Sequence, residues 1–277
     1  MPTAPWQPMI WIGGAPGAGK STLARTLAHA EDLPLHPVDR WTYEHAARLP
    51  VPRAAEEATP DGAADAFVRY AGERLPLVLA DVRGRGLGAV PALVEGPQLL
   101  PELAGPLPAG HAVWLLPDPA LTRRARERRL AEADDPSARS RPGLFLGRDV
   151  LLTERIRKRA AVHGGAVVEV GPEPDWAQVG RDVRSALAAA LRAAPRLEPG
   201  RPLAAQRRFE NAAAARQIAL WTATEGITDP VRFPFACECG RSGCAATCTA
   251  TAPEYTDRPA GAPLLAPGHL PPGRLPR

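Results

Sequence analysis

Gly14-Ala15-Pro16-Gly17-Ala18-Gly19-Lys20-Ser21 carries the residue types, at the spacing G-x-x-x-x-G-K-S, that gripping a chain of phosphates requires. The glycines let the backbone curl until successive N–H groups point inward at phosphate oxygens. Lys20 can reach the β- and γ-phosphates, the Ser21 hydroxyl can ligate magnesium, and Thr22 closes the binding set. Such a loop needs a strand before it and a helix after it. Met9-Ile10-Trp11-Ile12 and Thr22-Leu23-Ala24-Arg25-Thr26-Leu27-Ala28 supply both, and the helix N-terminus adds its partial positive charge. The spacing predicts a nucleoside triphosphate site, with ATP as the default nucleotide.

Phosphoryl transfer also needs carboxylates beside the loop. Asp39 falls at the C-terminal end of a short predicted strand, 34–38, where ligands collect in open α/β sheets. There it can accept the proton of an attacking hydroxyl or hold that hydroxyl in line with the γ-phosphate. Glu95 ends a further predicted strand and can orient magnesium or its water, as a Walker-B acid does. Asp81, closing the run Leu77-Val78-Leu79-Ala80, competes for that role, because so short an apolar run has no decisive period. Arg123, Arg124, Arg126, Arg128 and Arg129 crowd one helical stretch, where arginines can close over a triphosphate and stabilise the transferring group. Arg124 and Arg128 are the catalytic candidates; Glu127 and Glu132 can pair with the others, and Arg155 and Arg157 fit either reading.

Over the first two-thirds of the chain, short apolar runs alternate with helical stretches, the pattern of a parallel sheet covered by helices. Strands are expected at 9–13, 34–38, 89–94, 111–116 and 166–170, with Pro91 arguing against a central start before Ala92 in the third. Helices are expected at 20–30, 61–79, 121–133, 148–162 and 176–194, with a loop at 134–143. Pro195 to Pro202 reads as a linker and Leu203 to Trp221 as a further helix. From Thr228 onward the chain is too poor in apolar residues for a core of its own. The expected units are a nucleotide-binding domain over 1–195, a linker and helix over 196–230, and a Cys-rich tail over 231–277.

Of the 34 Lys plus Arg residues only Lys20 and Lys158 are lysine, so one of two lysines stands where phosphate chemistry requires it. The net charge of +4 suits a phosphate-handling protein and is too small, over 277 residues, to argue for nucleic acid as a partner. No run approaches the ~20 apolar residues that cross a bilayer. Met9 to Ile12 is too short for a signal peptide, so the expected setting is the cytoplasm, with no membrane partner.

All four cysteines, Cys237, Cys239, Cys244 and Cys248, cluster near the C-terminus, which in a cytosolic chain reads as metal-binding or redox chemistry. Thiolates at these spacings can share one tetrahedral zinc, and His269 can replace Cys248 as the fourth ligand.

The loop Gly14 to Ser21, Asp39, the string Glu95-Gly96-Pro97-Gln98-Leu99-Leu100-Pro101 and the basic segment after Trp114-Leu115 together resemble the P-loop small-molecule kinases. That group includes gluconate, shikimate, adenylylsulfate and 2-phosphoglycerate kinases, and the Glu-Gly-x-x-Leu-Leu-Pro string looks most like the last. The resemblance covers about residues 8–195. It implies an α/β fold with a doubly wound five-stranded parallel sheet in the order 2-3-1-4-5. It also implies magnesium-ATP and transfer of the γ-phosphate to a hydroxyl of a small metabolite or nucleoside. The chain departs from the group in lacking a clean Asp Walker-B acid and a recognisable acceptor signature. The tail, Phe235-Ala236-Cys237-Glu238-Cys239-Gly240 and Cys244, then Glu254-Tyr255 and Pro267-Gly268-His269, is similar to a short Cys-rich module of bacterial proteins. That likeness pairs Cys237, Cys239 and Cys244 with His269 and leaves Cys248 spare. A reading from another class is an ATP-driven switch whose zinc-knuckle tail engages a protein or nucleic acid.

Overall fold

Apolar runs too short to make helices become the strands of one parallel sheet: β1 (Met9–Gly14), β2 (Leu35–Pro37), β3 (Ala92–Glu95), β4 (Ala112–Pro117) and β5 (Ala166–Val170). In the computed structural model, which describes residues 8–49, 58–105, 107–132 and 142–272, their order is β2-β3-β1-β4-β5. This is the doubly wound 2-3-1-4-5 sheet. Its register sets Ile12 beside Glu95 and Gly14 beside Leu115, so the C-terminal ends of three strands open on one crevice.

β1 is buried on both faces, and its alternation sorts the two sides of the core. Ile10 and Ile12 pack with α1 (Lys20–Ala30), α6 (Trp176–Ala186) and α7 (Ala188–Ala193). Met9 and Trp11 face α3 (Pro60–Gly84), with α5 (Pro142–His163) beside it over Trp114 and Leu116. A 3-10 turn, Val38–Trp41, and α2 (Thr42–Ala46) follow β2, and α4 (Pro119–Glu132) follows β4. Among the described residues no helix is long and apolar enough to cross a membrane.

Three expectations need correcting. Leu77 to Ala80 is not strand: it lies within α3, where Val78 and Val82, one turn apart, bury against the sheet. Asp81 therefore ends no strand, and its Oδ2 meets His45 Nε2 at 2.7 Å. The third strand starts at Ala92, as Pro91 leads one to expect, because its missing N–H cannot enter the ladder. α5 begins at Pro142 rather than Arg148; proline at the first helical position is pre-set for helix, and Phe145 packs between Arg126 and Arg148. The helix expected over 176–194 breaks at Leu187, which leaves helical geometry to sit fully buried in the core. Of the expected loop at 134–143, residues 134–141 lie outside the described residues.

The last third is α8 (Arg201–Glu225), an antiparallel hairpin of β6 (Arg232–Ala236) and β7 (Thr247–Thr251), and α9 (Ala252–Thr256). The hairpin shares a core with α8: Phe235 stacks on Tyr255 at 4.8 Å, and Ala214 and Ala215 pack beneath. α8 also covers the outer edge of β2. Arg207 Nη1 donates to the Leu33 carbonyl (3.2 Å), Leu35 N–H donates to Glu210 Oε1 (3.2 Å), and Arg85 Nη1 donates to the Leu35 carbonyl (3.4 Å). Side chains thus satisfy backbone groups that a bare edge would leave open to another strand. Glu210 is fully buried, and burial alone would push its carboxyl up. Arg207 at 2.8 Å, with His29 and Gln206 as donors, reverses this and holds it well below the usual carboxylate range. The hairpin is tied to the first domain separately: Asp32 Oδ2 accepts from Ser242 Oγ (2.5 Å) and Oδ1 from Gly243 N–H (2.9 Å). Gly200 N–H donates to the Gly240 carbonyl (2.7 Å), an approach so close that a Cβ on Gly240 would lie 2.2 Å from the Gly200 carbonyl oxygen.

Candidate functional site

The loop after β1 turns directly into α1. Gly19 caps that helix at φ +74°, a conformation that favours glycine, and its bare Cα lets the Trp176 ring lie close over the loop. No side chain caps the α1 N-terminus, which leaves its first amides facing the loop. Lys20 is buried, and its Nζ donates to the Ala15 carbonyl at 2.7 Å, folding across the loop from within. Gly14 to Gly19 form the rest of the turn, and Thr22 lies one residue beyond Ser21, exposed on the first turn of α1.

Ser21 Oγ donates to Glu95 Oε1 at 3.1 Å, joining the loop to the end of β3. Glu95 is fully buried, and burial first, then the charge of Asp39, pushes its carboxyl up to about 7. Lys20 and the Ser21 hydroxyl oppose that shift. Asp39 opens the 3-10 turn after β2 and is exposed. Two carboxylates and a hydroxyl at one strand-end crevice are the oxygen donors a hard divalent cation takes. Because the folded value lies above the ordinary one, Glu95 contributes stability that is complete below about pH 4.5 and lost as pH rises through about 7. Urea unfolding without divalent cations should then show Glu95→Gln gaining on wild type from about pH 5 to about pH 8. A constant gap across that window would mean the carboxyl ionises normally.

Beside the loop lies a cavity of about 690 Å³. Gly17, Gly19 and Thr22 wall one side, Leu121, Arg124 and Arg128 of α4 another, and Pro172, Pro174 and Trp176 the third. Asp175 caps α6 by accepting from Ala177 and Gln178 N–H, which fixes Trp176 at the cavity rim. The structure thus brings Arg124 and Arg128 to the loop, with Arg124 also donating to the Pro172 carbonyl. Arg123 is exposed outside the lining, and the Arg129 and Glu132 side chains lie outside the described residues. Arg155 pairs with Asp65 and Arg157 with Glu169 at the surface.

Sequence reasoning missed one arrangement. Asp149 is fully buried, with Arg126 on Oδ2 (Nε, 2.6 Å) and Arg148 on Oδ1 (Nη2, 2.9 Å). A single carboxylate thereby fixes guanidiniums from α4 and α5. Only the Arg148-Asp149 dipeptide signals it in the sequence, and a dipeptide carries no period.

In the tail, the ligand atoms of Cys237, Cys239, Cys244 and His269 all lie within 4.8 Å of one another. His269 Nδ1 stands 3.3 Å from Cys237 Sγ and 3.6 Å from Cys244 Sγ, near the ~3.5 Å edge that zinc–sulfur and zinc–nitrogen bond lengths give a tetrahedron. The residues therefore fit a tetrahedral thiophilic cation. Cys248, on β7 opposite Phe235, stands outside this group. Burial pushes the Cys237 and Cys239 thiols up, so both stay protonated and unreactive until a bound cation displaces their protons. Glu238, between two of the ligands, is fully buried and accepts from Asn211 Nδ2 and Tyr255 Oη, both at 2.9 Å, anchoring the loop to α8.

Neither a protein-family model nor a curated protein matches the chain. Among solved structures it is similar to a gluconokinase from Sinorhizobium meliloti 1021, at 18% identity and TM-score 0.38, over 68% of this chain and 95% of that one. It is also similar to a sulfotransferase from Alicyclobacillus acidocaldarius, at 18% identity and TM-score 0.38, over 80% of this chain and 97% of that one.

Proposed function

We propose that the chain is a cytoplasmic, magnesium-dependent phosphotransferase that moves the γ-phosphate of ATP to a hydroxyl of a small molecule. The observation that carries this reading is the 3.1 Å hydrogen bond from Ser21 to the buried Glu95, set at the end of a complete phosphate loop. Magnesium, when bound, would neutralise part of the triphosphate's charge. Ser21 and Glu95 are the groups that would hold it. The loop amides and Lys20 bind the phosphates, Arg124 and Arg128 meet the negative charge of the transferring group, and the base lies against Trp176. Asp39 orients the acceptor hydroxyl and takes its proton as the oxygen bonds to phosphorus, while the bridge to the β-phosphate breaks and ADP leaves. The Cys237, Cys239, Cys244 and His269 group would hold one structural zinc. Packing of the hairpin onto the first domain favours this reading over a switch whose tail must reach a partner.

Titration with Mg·ATP and Mg·GTP, read by tryptophan fluorescence, is the first test. Trp176→Ala should weaken nucleotide binding about ten-fold, since one stacked aromatic contributes about 1 kcal/mol or more. Absence of saturable uptake in the wild type would remove the reading altogether. ADP release is then screened across hydroxylated metabolites and nucleosides, with Asp39→Ala for comparison. If no acceptor raises release above the basal rate, phosphotransfer fails while nucleotide binding stands.

A further inference from the structure

Where the hairpin and α8 meet the first domain, positive charge outruns its compensation. Arg25, Arg40, Arg85 and Arg207 all lie in the field of the carboxylate Glu210, and Arg40 also feels Glu95. Arg207 takes the ion pair, at 2.8 Å. Arg85 is held by Gln206 and lies over the Phe209 ring at 4.4 Å. Arg25 and Arg40 receive only backbone oxygens: Arg25 Nη1 donates to the Pro234 carbonyl (3.3 Å) and Arg40 Nη1 to the Glu210 carbonyl (2.8 Å). Among the described residues neither guanidinium bonds a carboxylate. Burial lowers both from their ordinary value, so each charge is held partly out of water. Cations in that condition are unfavourable unless an anion completes them, and a guanidinium pair completes best with a carboxylate or phosphate group.

Their position says which anion. Arg25 is four residues beyond Ser21 on α1 and so shares its face of the helix. Arg40 is next to Asp39, feels the charge of Glu95, and lies over the Phe233 ring at 5.4 Å. We propose that Arg25 and Arg40 form the anion cradle of the acceptor site, with Phe233 and Pro234 of the hairpin as its wall. The acceptor is then a hydroxylated carboxylate or phosphate ester whose charged group sits on the two guanidiniums and whose hydroxyl faces Asp39. This rests on the phosphotransferase reading, and it makes the C-terminal hairpin part of the substrate site.

The test titrates full-length protein, with and without Mg·ADP, against glycerol, glycerate, glycerol phosphate and inorganic phosphate. Saturable uptake of the anions and none of glycerol is expected; glycerate against glycerol phosphate separates carboxylate from phosphate. Arg25→Gln and Arg40→Gln should each weaken anion uptake about ten-fold or more and leave Mg·ATP affinity unchanged. Arg40→Lys, which keeps the charge and loses the fork, should fall between. Arg157→Gln, which removes a surface ion pair with Glu169 between α5 and β5, should leave anion uptake as it was. In turnover with an anionic acceptor, KM should rise while kcat holds. No anion uptake by wild type overturns the cradle. So does a parallel loss of Mg·ATP affinity, or a lowered unfolding temperature with anion affinity intact. A wild type that takes up anions and no nucleotide keeps the cradle and refutes the phosphotransferase.

Discussion

Lys20→Ala is expected to lower kcat/KM for acceptor-stimulated ADP release by about 1000-fold, roughly 4 kcal/mol of transition-state stabilisation. The reason is local. Lys20 is the cation built into the loop, buried and already folded across it to the Ala15 carbonyl, so its charge reaches bound phosphates with little rearrangement. Its loss leaves the developing charge to amides and to arginines that approach from α4. The substitution changes none of the four ligand residues of the Cys-rich loop, so metal content should not change. A second readout separates electrostatics from simple damage. Lys20 holds the Glu95 carboxyl down, and without it the proton should stay to higher pH. The pH at which magnesium binding reaches half its plateau should therefore move upward in the variant. Activity that survives Lys20→Ala would place catalysis elsewhere on the chain.

Removing metal from the tail should have the largest effect on stability. Purified protein is expected to carry about one zinc per chain, and strong chelation should lower its unfolding temperature by more than about 10 °C. Loss of a few kcal/mol suffices for that at this chain length. Cys237→Ser and His269→Ala should mimic chelation, whereas Cys248→Ser should not, because its sulfur stands outside the ligand group. The effect should spread into the first domain. Asp32 is held by Ser242 and Gly243 of the Cys-rich loop, and Glu238 ties that loop to α8, which in turn holds His29 and Leu35 through Glu210. Hydrogen exchange should accelerate at residues 29–40 on chelation. Faster exchange confined to residues 232–272 would show that the hairpin opens by itself and that the coupling is wrong.

The parts written in local chemistry were legible in the sequence. The phosphate loop, α1 over Lys20–Ala30, β5 over Ala166–Val170 and the parallel-sheet class follow from glycine spacing and apolar runs, which act within a few residues. Leu77 to Ala80 misled because a run that short fits strand and helix alike; the turns of α3 before it decide the outcome. The role of α8 was hidden for a different reason. Its alanines signalled a helix, while the residues that dock it on the parallel sheet and the hairpin, Gln206, Arg207, Glu210 and Asn211, are polar and buried. A polar group becomes a core residue only through partners far along the chain, and no period records that. Asp149, with arginines from two helices, escaped in the same way.

The border of the sheet has a consequence for how the protein is made. Leu35 emerges from the ribosome 175 residues before Glu210, which answers its N–H, and Leu33 waits nearly as long for Arg207. During that interval the nascent first domain carries an uncovered strand at its margin, the kind of surface that recruits neighbouring chains. A translation product that stops at the proline-rich stretch before Arg201 keeps that margin bare permanently. The segment from Arg201 onward thus serves as a fastening supplied late, and premature termination yields a sticky fragment in place of a smaller working protein.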